Sequence, residues 1–134
     1  MESSKLFSFT HLKEHYDYLA PDTSEIRLLE SLPSGGICHC KLPPQRTSIA
    51  VYHITVNEIW YVLSGVGEMW QKYDERESIT ALLSELSITI PTGNKFQFRN
   101  TGSDDLCILI TTMPHWPGAD EAVPTEGKWQ PSIK

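Results

Sequence analysis

Between residues 26 and 112 the chain alternates between apolar and polar positions in short runs, and each run ends at turn-forming residues. The runs fall at 26–30, 37–42, 48–55, 58–63, 68–73, 78–83, 86–90, 95–100 and 106–112. Leu32, Pro33, Ser34, Gly35 and Gly36 form a turn signal, Pro43 and Pro44 break the next run, and Ser64, Gly65, Val66 and Gly67 make a tight turn. Asp74, Glu75, Arg76 and Glu77 read as a charged hairpin tip. In the run 37–42, Cys38, Cys40 and Leu42 share one face, with His39 and Lys41 on the other. Short strands recurring this regularly predict an all-β sandwich or barrel.

The two ends depart from the alternation. In residues 10–20, Leu12, Tyr16 and Leu19 are spaced by four and three, and Thr10 is a candidate cap. This predicts a short N-terminal helix, closed by Pro21. From Met113 onward, Pro114, Pro117, Gly118, Pro124 and Pro131 forbid long regular structure, yet Trp116 and Trp129 are large apolar side chains. The tail is therefore expected to lie packed across the barrel. The expected organisation is one domain over 1–134, with a barrel core at about 26–112, an N-terminal segment at 1–25 and a tail at 113–134.

Composition narrows the function classes. The 11 Lys and Arg against 17 Asp and Glu give a net charge of −6, which lacks the basic face that nucleic-acid binding requires. It also lacks a polybasic membrane anchor. No run approaches the ~20 apolar residues of a membrane span, and Met1 to Lys5 begin no signal-peptide pattern. Three cysteines do not form a disulfide framework, so reduced thiols and a cytoplasmic location are expected. A Walker-type glycine loop, a Gly-x-Ser-x-Gly elbow and a dinucleotide fingerprint are all missing, against nucleotide-dependent and serine-hydrolase chemistry.

Two stretches resemble the paired motifs of the cupin superfamily, small double-stranded β-helix (jelly-roll) barrels. His53, Glu58 and Gly65 match the second His, the Glu and the closing Gly of the first motif, and residues 60–65 resemble its strand and turn. Pro91, Gly93 and Asn100 match the second motif. The resemblance spans roughly residues 35–112 and implies a jelly-roll barrel. In metal-binding cupins three His and one Glu hold a divalent ion. Here Val51 stands at the first His, Phe96 at the second-motif His and Glu85 at that motif's leading Gly. Only His53 and Glu58 remain as ligands, so the resemblance implies no cofactor or a weakly bound divalent metal. Lys95, next to the vacant position, is expected to disfavour a cation further.

The motif aims residues 51 and 53, residues 58, 60 and 62, and residues 96 and 98 into the barrel. The expected cavity is lined by Val51, Trp60, Val62, Phe96, Phe98 and Cys40, with His53 and Glu58 as a polar pair. Such a site suits a small apolar or aromatic ligand. His53 is the expected general acid/base and Glu58 its orienting partner, in an isomerase, cyclase or epimerase reaction. Two alternatives stay open, a non-catalytic binding barrel and a metal-dependent cupin oxygenase with a reduced ligand set. The aromatics could also simply fill a small barrel, and His53 could be the remnant of a metal site. A thiolate–metal role for Cys38 and Cys40 is weighed below their role as small buried hydrophobes, and His39 is expected to face a partner or solvent. His11 and His15 have metal-chelating spacing on the expected helix but no third ligand, and His115 is a candidate rim residue. Tyr61 and Trp70 are expected to face outward against a second subunit, as in a homodimer.

Overall fold

A computed structural model describes residues 6–132. Met1 to Lys5, on which the expectation of no leader rests, lie outside the described residues, as do Ile133 and Lys134. The strands are β1 (Tyr18–Leu19), β2 (Glu25–Leu32), β3 (Gly35–Leu42), β4 (Val51–His53), β5 (Asn57–Ser64), β6 (Gly67–Tyr73), β7 (Arg76–Leu82), β8 (Ser87–Ile90), β9 (Lys95–Asn100), β10 (Leu106–Met113) and β11 (Ala122–Pro124). They form two antiparallel sheets, ordered β1-β2-β3-β10-β5-β8 and β11-β4-β9-β6-β7. The all-β expectation holds, and the crossovers between the sheets are those of a jelly roll.

Strand register sorts the interior into levels. Glu58 lies opposite Thr112, which lies opposite Gly36. One step down come Trp60, Ile110 and Cys38, and a further step down come Val62, Ile108 and Cys40. Leu106 and Leu42 pair below those. In the second sheet Phe98 faces Met69, and Val51 faces Phe96. Alternation thus assigns these residues to the inward face, and level decides how deep each one sits.

The motif positions have local physical roles. Gly65 sits at φ +91°, and a Cβ there would meet the Asp105 carbonyl at 2.5 Å, so the turn after β5 requires glycine. Asn100 donates to the carbonyls of Leu42 (2.9 Å) and Asp104 (2.8 Å) and accepts from the Gly102 amide, which pins the turn after β9.

The expected N-terminal helix does not form. Leu12, Tyr16 and Leu19 are all exposed, so their helical spacing has no face to bury. A helix this short without packing is marginal in water. Here the backbone carbonyls serve the sheet instead. Arg27 donates from Nε to the Lys13 carbonyl (2.9 Å) and from Nη2 to the Glu14 carbonyl (2.6 Å). The Asp17 carboxylate accepts from the Leu28 amide (2.7 Å), and β1 pairs with β2. His11 and His15 are exposed and have no helix to align them. His39, expected to face a partner or solvent, is buried on the outer face opposite Arg27, its register neighbour.

The tail returns to the second sheet. β11 pairs with β4, placing Ala122 opposite His53. The Gln97 side chain donates to the Ser48 and Trp129 carbonyls and accepts from the amides of Lys128 and Trp129. Gly127 allows this approach, because a Cβ there would lie 2.5 Å from Gln97 Oε1. Arg99 stacks over the Trp129 ring at 4.1 Å and pairs with Glu68. Trp70 lies opposite Gln97 on this covered face and is buried, donating to Glu77 at 2.8 Å. Its expected exposure is thereby corrected, whereas Tyr61 is exposed on the first sheet beside Ile59 and Leu63.

Candidate functional site

A cavity of about 170 Å³ opens between the two sheets at the upper levels of the barrel. Its lining includes Val51, His53, Glu58, Trp60 and Phe96, together with Tyr18, Asp22, Ser24, Cys38, Thr112 and Trp116. Beyond it lies an open groove of about 920 Å³, which shares Tyr18, Pro21, Leu28, His115, Trp116 and Ala122 with the cavity. His115 therefore stands on the shared rim. Val62, Phe98 and Cys40, also expected to line the cavity, instead belong to the packed core beneath it. Cys38 takes the place of Cys40, because it lies one level higher on β3.

His53 is 4% exposed and is held by aromatic edges. Its ring meets Phe96 at 5.2 Å and Trp116 at 5.4 Å, both edge to face. Its Nδ1 is buried and has no hydrogen-bond partner. Burial holds its pKa down at about 4, against a small opposing pull from Glu121, so the imidazole is neutral at pH 7. Glu121 is itself kept ionised. Burial raises its pKa, but the amides of Thr55 and Val56, donating at 2.6 and 2.7 Å, outweigh that and hold it below the usual range.

Glu58 is 6% exposed and accepts from Trp60 Nε1 at 2.9 Å and from the Thr112 hydroxyl at 2.8 Å. Both donors follow from position, since Trp60 is two residues along the same face and Thr112 is the cross-strand neighbour. Burial pushes its pKa up to about 7, with Asp22 and Glu121 adding to the rise, while the two hydrogen bonds restrain it. The expected His53–Glu58 pair is not a hydrogen-bonded one. Each group presents separately to the cavity, one as a neutral imidazole and one as a carboxyl near half-protonation at pH 7.

Three further lining groups qualify the chemistry. Asp22 is 7% exposed and accepts from the Ser24 amide and hydroxyl, both through Oδ1. Burial raises its pKa, and the Ser24 bonds oppose that. Burial pushes the Cys38 thiol up to about 12, with Glu58 and Asp22 contributing, so it stays protonated and is a poor nucleophile. Lys95 does not approach the cavity; it lies opposite Lys72 on the outer face, because Phe96 takes the inward position. Asp22 and Ser24 carry no strand alternation, and the signal the sequence holds for them is local: Asp-x-Ser after a proline favours an Asx-turn. Thr112 was readable as the next even position on β10 after Leu106, Ile108 and Ile110.

The donor set does not fit the metal of metal-binding cupins. Among the described residues, no three His, Cys, Asp or Glu side chains come together in metal-holding geometry. Val51 and Phe96 present apolar groups at two of the family's ligand positions, and Glu58 spends both oxygens on Trp60 and Thr112.

No family model and no curated protein matches the sequence. Solved structures do match the fold. The Streptomyces nucleoside dehydratase Pac13, solved with uridine, superposes with a TM-score of 0.70 at 12% identity, covering 91% of this chain and 92% of that one. A Klebsiella pneumoniae protein with a double-stranded β-helix domain gives 0.64 at 13% identity over 92% and 98%. The Schizosaccharomyces pombe Cnp3 cupin domain gives 0.62 at 13% identity over 78% and 64%. With two antiparallel sheets in jelly-roll order and these neighbours, the chain has the double-stranded β-helix fold of the cupins.

Proposed function

We propose that the barrel binds a small organic molecule, one apolar or aromatic ring in size, and exchanges protons with it in an isomerase-type reaction. The observation that carries this reading is the separation of His53 and Glu58, a neutral base and a protonatable acid, across one largely apolar cavity. Proton transfer needs a group that can accept and another that can donate at the same pH. His53 takes a proton from one atom of the ligand, and the protonated form of Glu58 gives one to another. The two transfers cancel in an isomerisation or epimerisation. If the atom protonated by Glu58 is a hydroxyl that leaves, the result is loss of water. The same fold carries a dehydration in the Streptomyces neighbour.

Size supports the ligand class. A cavity of about 170 Å³ is comparable to the roughly 150 Å³ that accommodates benzene in an engineered core. A bicyclic or larger ligand would place one ring inside and extend through the rim of His115 and Trp116 into the groove.

The test is a panel of single-ring carbonyl and hydroxy compounds in D2O, followed by NMR for deuterium incorporation or conversion. An active compound is expected to turn over with a plateau of kcat/KM between about pH 4 and pH 7. The acid limb belongs to His53 protonation and the alkaline limb to Glu58 ionisation. His53→Ala and Glu58→Gln are each expected to lower the rate by roughly 10²–10⁴-fold. Compounds that bind tightly yet neither exchange nor convert would refute catalysis and leave a binding barrel.

A further inference from the structure

The cavity holds buried acidic side chains and no strongly basic ones to pair with them. Asp22 and Glu58 are both buried there, and neither takes part in any of the ion pairs among the described residues. No lysine or arginine lines the cavity. Uncompensated buried carboxyls are unfavourable unless something pairs with them. Glu58 at least has two side-chain donors. Asp22 has only its own turn, through Oδ1, and no described residue donates to its second oxygen. The rest of the lining is rich in aromatic faces, with Tyr18, Trp60 and Trp116 among them. Aromatic faces and an acidic group are the two features that attract an organic cation. His53, buried and lining the same cavity, also has an Nδ1 without a hydrogen-bond partner.

We propose that Asp22 anchors a protonated amine on the ligand, so that the cavity selects small ring-bearing amines over neutral and anionic analogues of the same shape. This rests on the reading of the cavity as the ligand site and deepens it. The ammonium donates to the unengaged Asp22 oxygen and sits against the aromatic lining. The ring then reaches His53 and Glu58 deeper in the barrel. A carboxylate ligand in the same place would set a negative charge against Asp22 in a cavity without a lysine or arginine. The acidic turn Asp22–Thr23–Ser24 is thereby a specificity element, and Glu58 is left for proton transfer.

The test is a matched series of benzylamine, benzyl alcohol and benzoate, titrated calorimetrically into the full chain at neutral pH, where benzylamine is protonated. Benzylamine is expected to bind about tenfold or more tightly than benzyl alcohol, and benzoate most weakly. Asp22→Asn keeps a carbonyl oxygen for the Ser24 donors and is expected to abolish the amine preference while benzyl alcohol binding persists. If that variant does not fold, the order of the three probes on the wild-type chain decides alone. Benzyl alcohol or benzoate binding as tightly as benzylamine would overturn the amine anchor and leave the ring-binding cavity standing. Failure of all three to bind would overturn both.

Discussion

The lower end of the barrel and the upper end are built from the same strands with the same alternation, yet one is solid and the other is open. Below, Val62, Phe98, Met69, Leu106 and Ile108 are fully buried and close on one another. Above, the inward positions are His53, Glu58 and Thr112, and the sheets enclose a cavity. Two features of the backbone separate the ends. β4 is only three residues long, and the β2–β3 register slips between Leu28 and Ser31, so the upper levels are walled partly by turns and by the tail. Alternation fixes which side chains point inward, whereas the spacing of what lies opposite determines whether they meet.

The largest expected effect lies at the closed end. Phe98→Ala removes a fully buried ring that packs edge to face on Trp60 at 4.9 Å, and it is expected to lower stability by about 3–5 kcal/mol. Trp116→Ala at the open end removes a larger side chain, but one that is only partly buried and borders empty space. Its loss in urea unfolding is expected to be less than half that of Phe98→Ala. Equal losses would show that the upper end is as tightly packed as the lower and would break the comparison.

The next effect uses the polar groups that distinguish the open end. Glu58 has a folded pKa of about 7, above its ordinary 4.5, so the stability it contributes is fully present below pH 4.5 and is lost as pH rises through 7. His53 acts in the opposite sense, contributing fully above 6.5 and losing its contribution as pH falls through about 4. Their slopes oppose each other between pH 4.5 and 6.5, and only the decline due to Glu58 continues above. Asp22, also raised by burial, tilts the profile in the same direction as Glu58 in wild type and variant alike. Glu58→Gln is therefore expected to gain on wild type as pH rises from 4.5 to 8, by up to about 3 kcal/mol. A pH-independent difference in urea unfolding would mean that Glu58 is not held in a desolvated site.

These two ends also mark what could be read from the chain. The inward faces of β5 and β9 are legible because β alternation is a property of the backbone alone, and Glu58, Trp60, Val62, Phe96 and Phe98 are all inward. Depth was not legible, because level depends on register with other strands. Hence alternation alone places Cys40, Val62 and Phe98 in the cavity, whereas they lie in the core beneath it and Cys38 lines it. The helix expected over residues 10–20 failed for a related reason: Leu12 and Tyr16 have helical spacing, but what uses that segment is Arg27, a residue from another strand that binds its carbonyls. Lys95, expected beside the site, lies away from it because neighbours in sequence take opposite faces of a strand. Asp22 lies in a turn, where no periodicity reports on direction.

The smallest effect tests how the tail divides between the two ends. Residues 127–129 are latched onto the outer face by Gln97, whereas Trp116 and Ala122 wall the cavity and the tail there is held separately by β11 on β4. Gln97→Ala deletes four hydrogen bonds made by one buried side chain. Three of the freed partners belong to tail backbone that can turn to water, and only the Ser48 carbonyl is left beneath. The net loss is expected near 1–2 kcal/mol rather than the sum of the bonds. Hydrogen exchange separates the two latches. The amides of Lys128 and Trp129 are expected to lose protection in Gln97→Ala, while those of β11 and β4 keep theirs, since the Ala122–His53 pairing does not pass through Gln97. Loss of protection in β11 as well would mean that the tail is one cooperative strap. The wall beside His53 would then depend on the closed end of the barrel, and the two ends would not be independent.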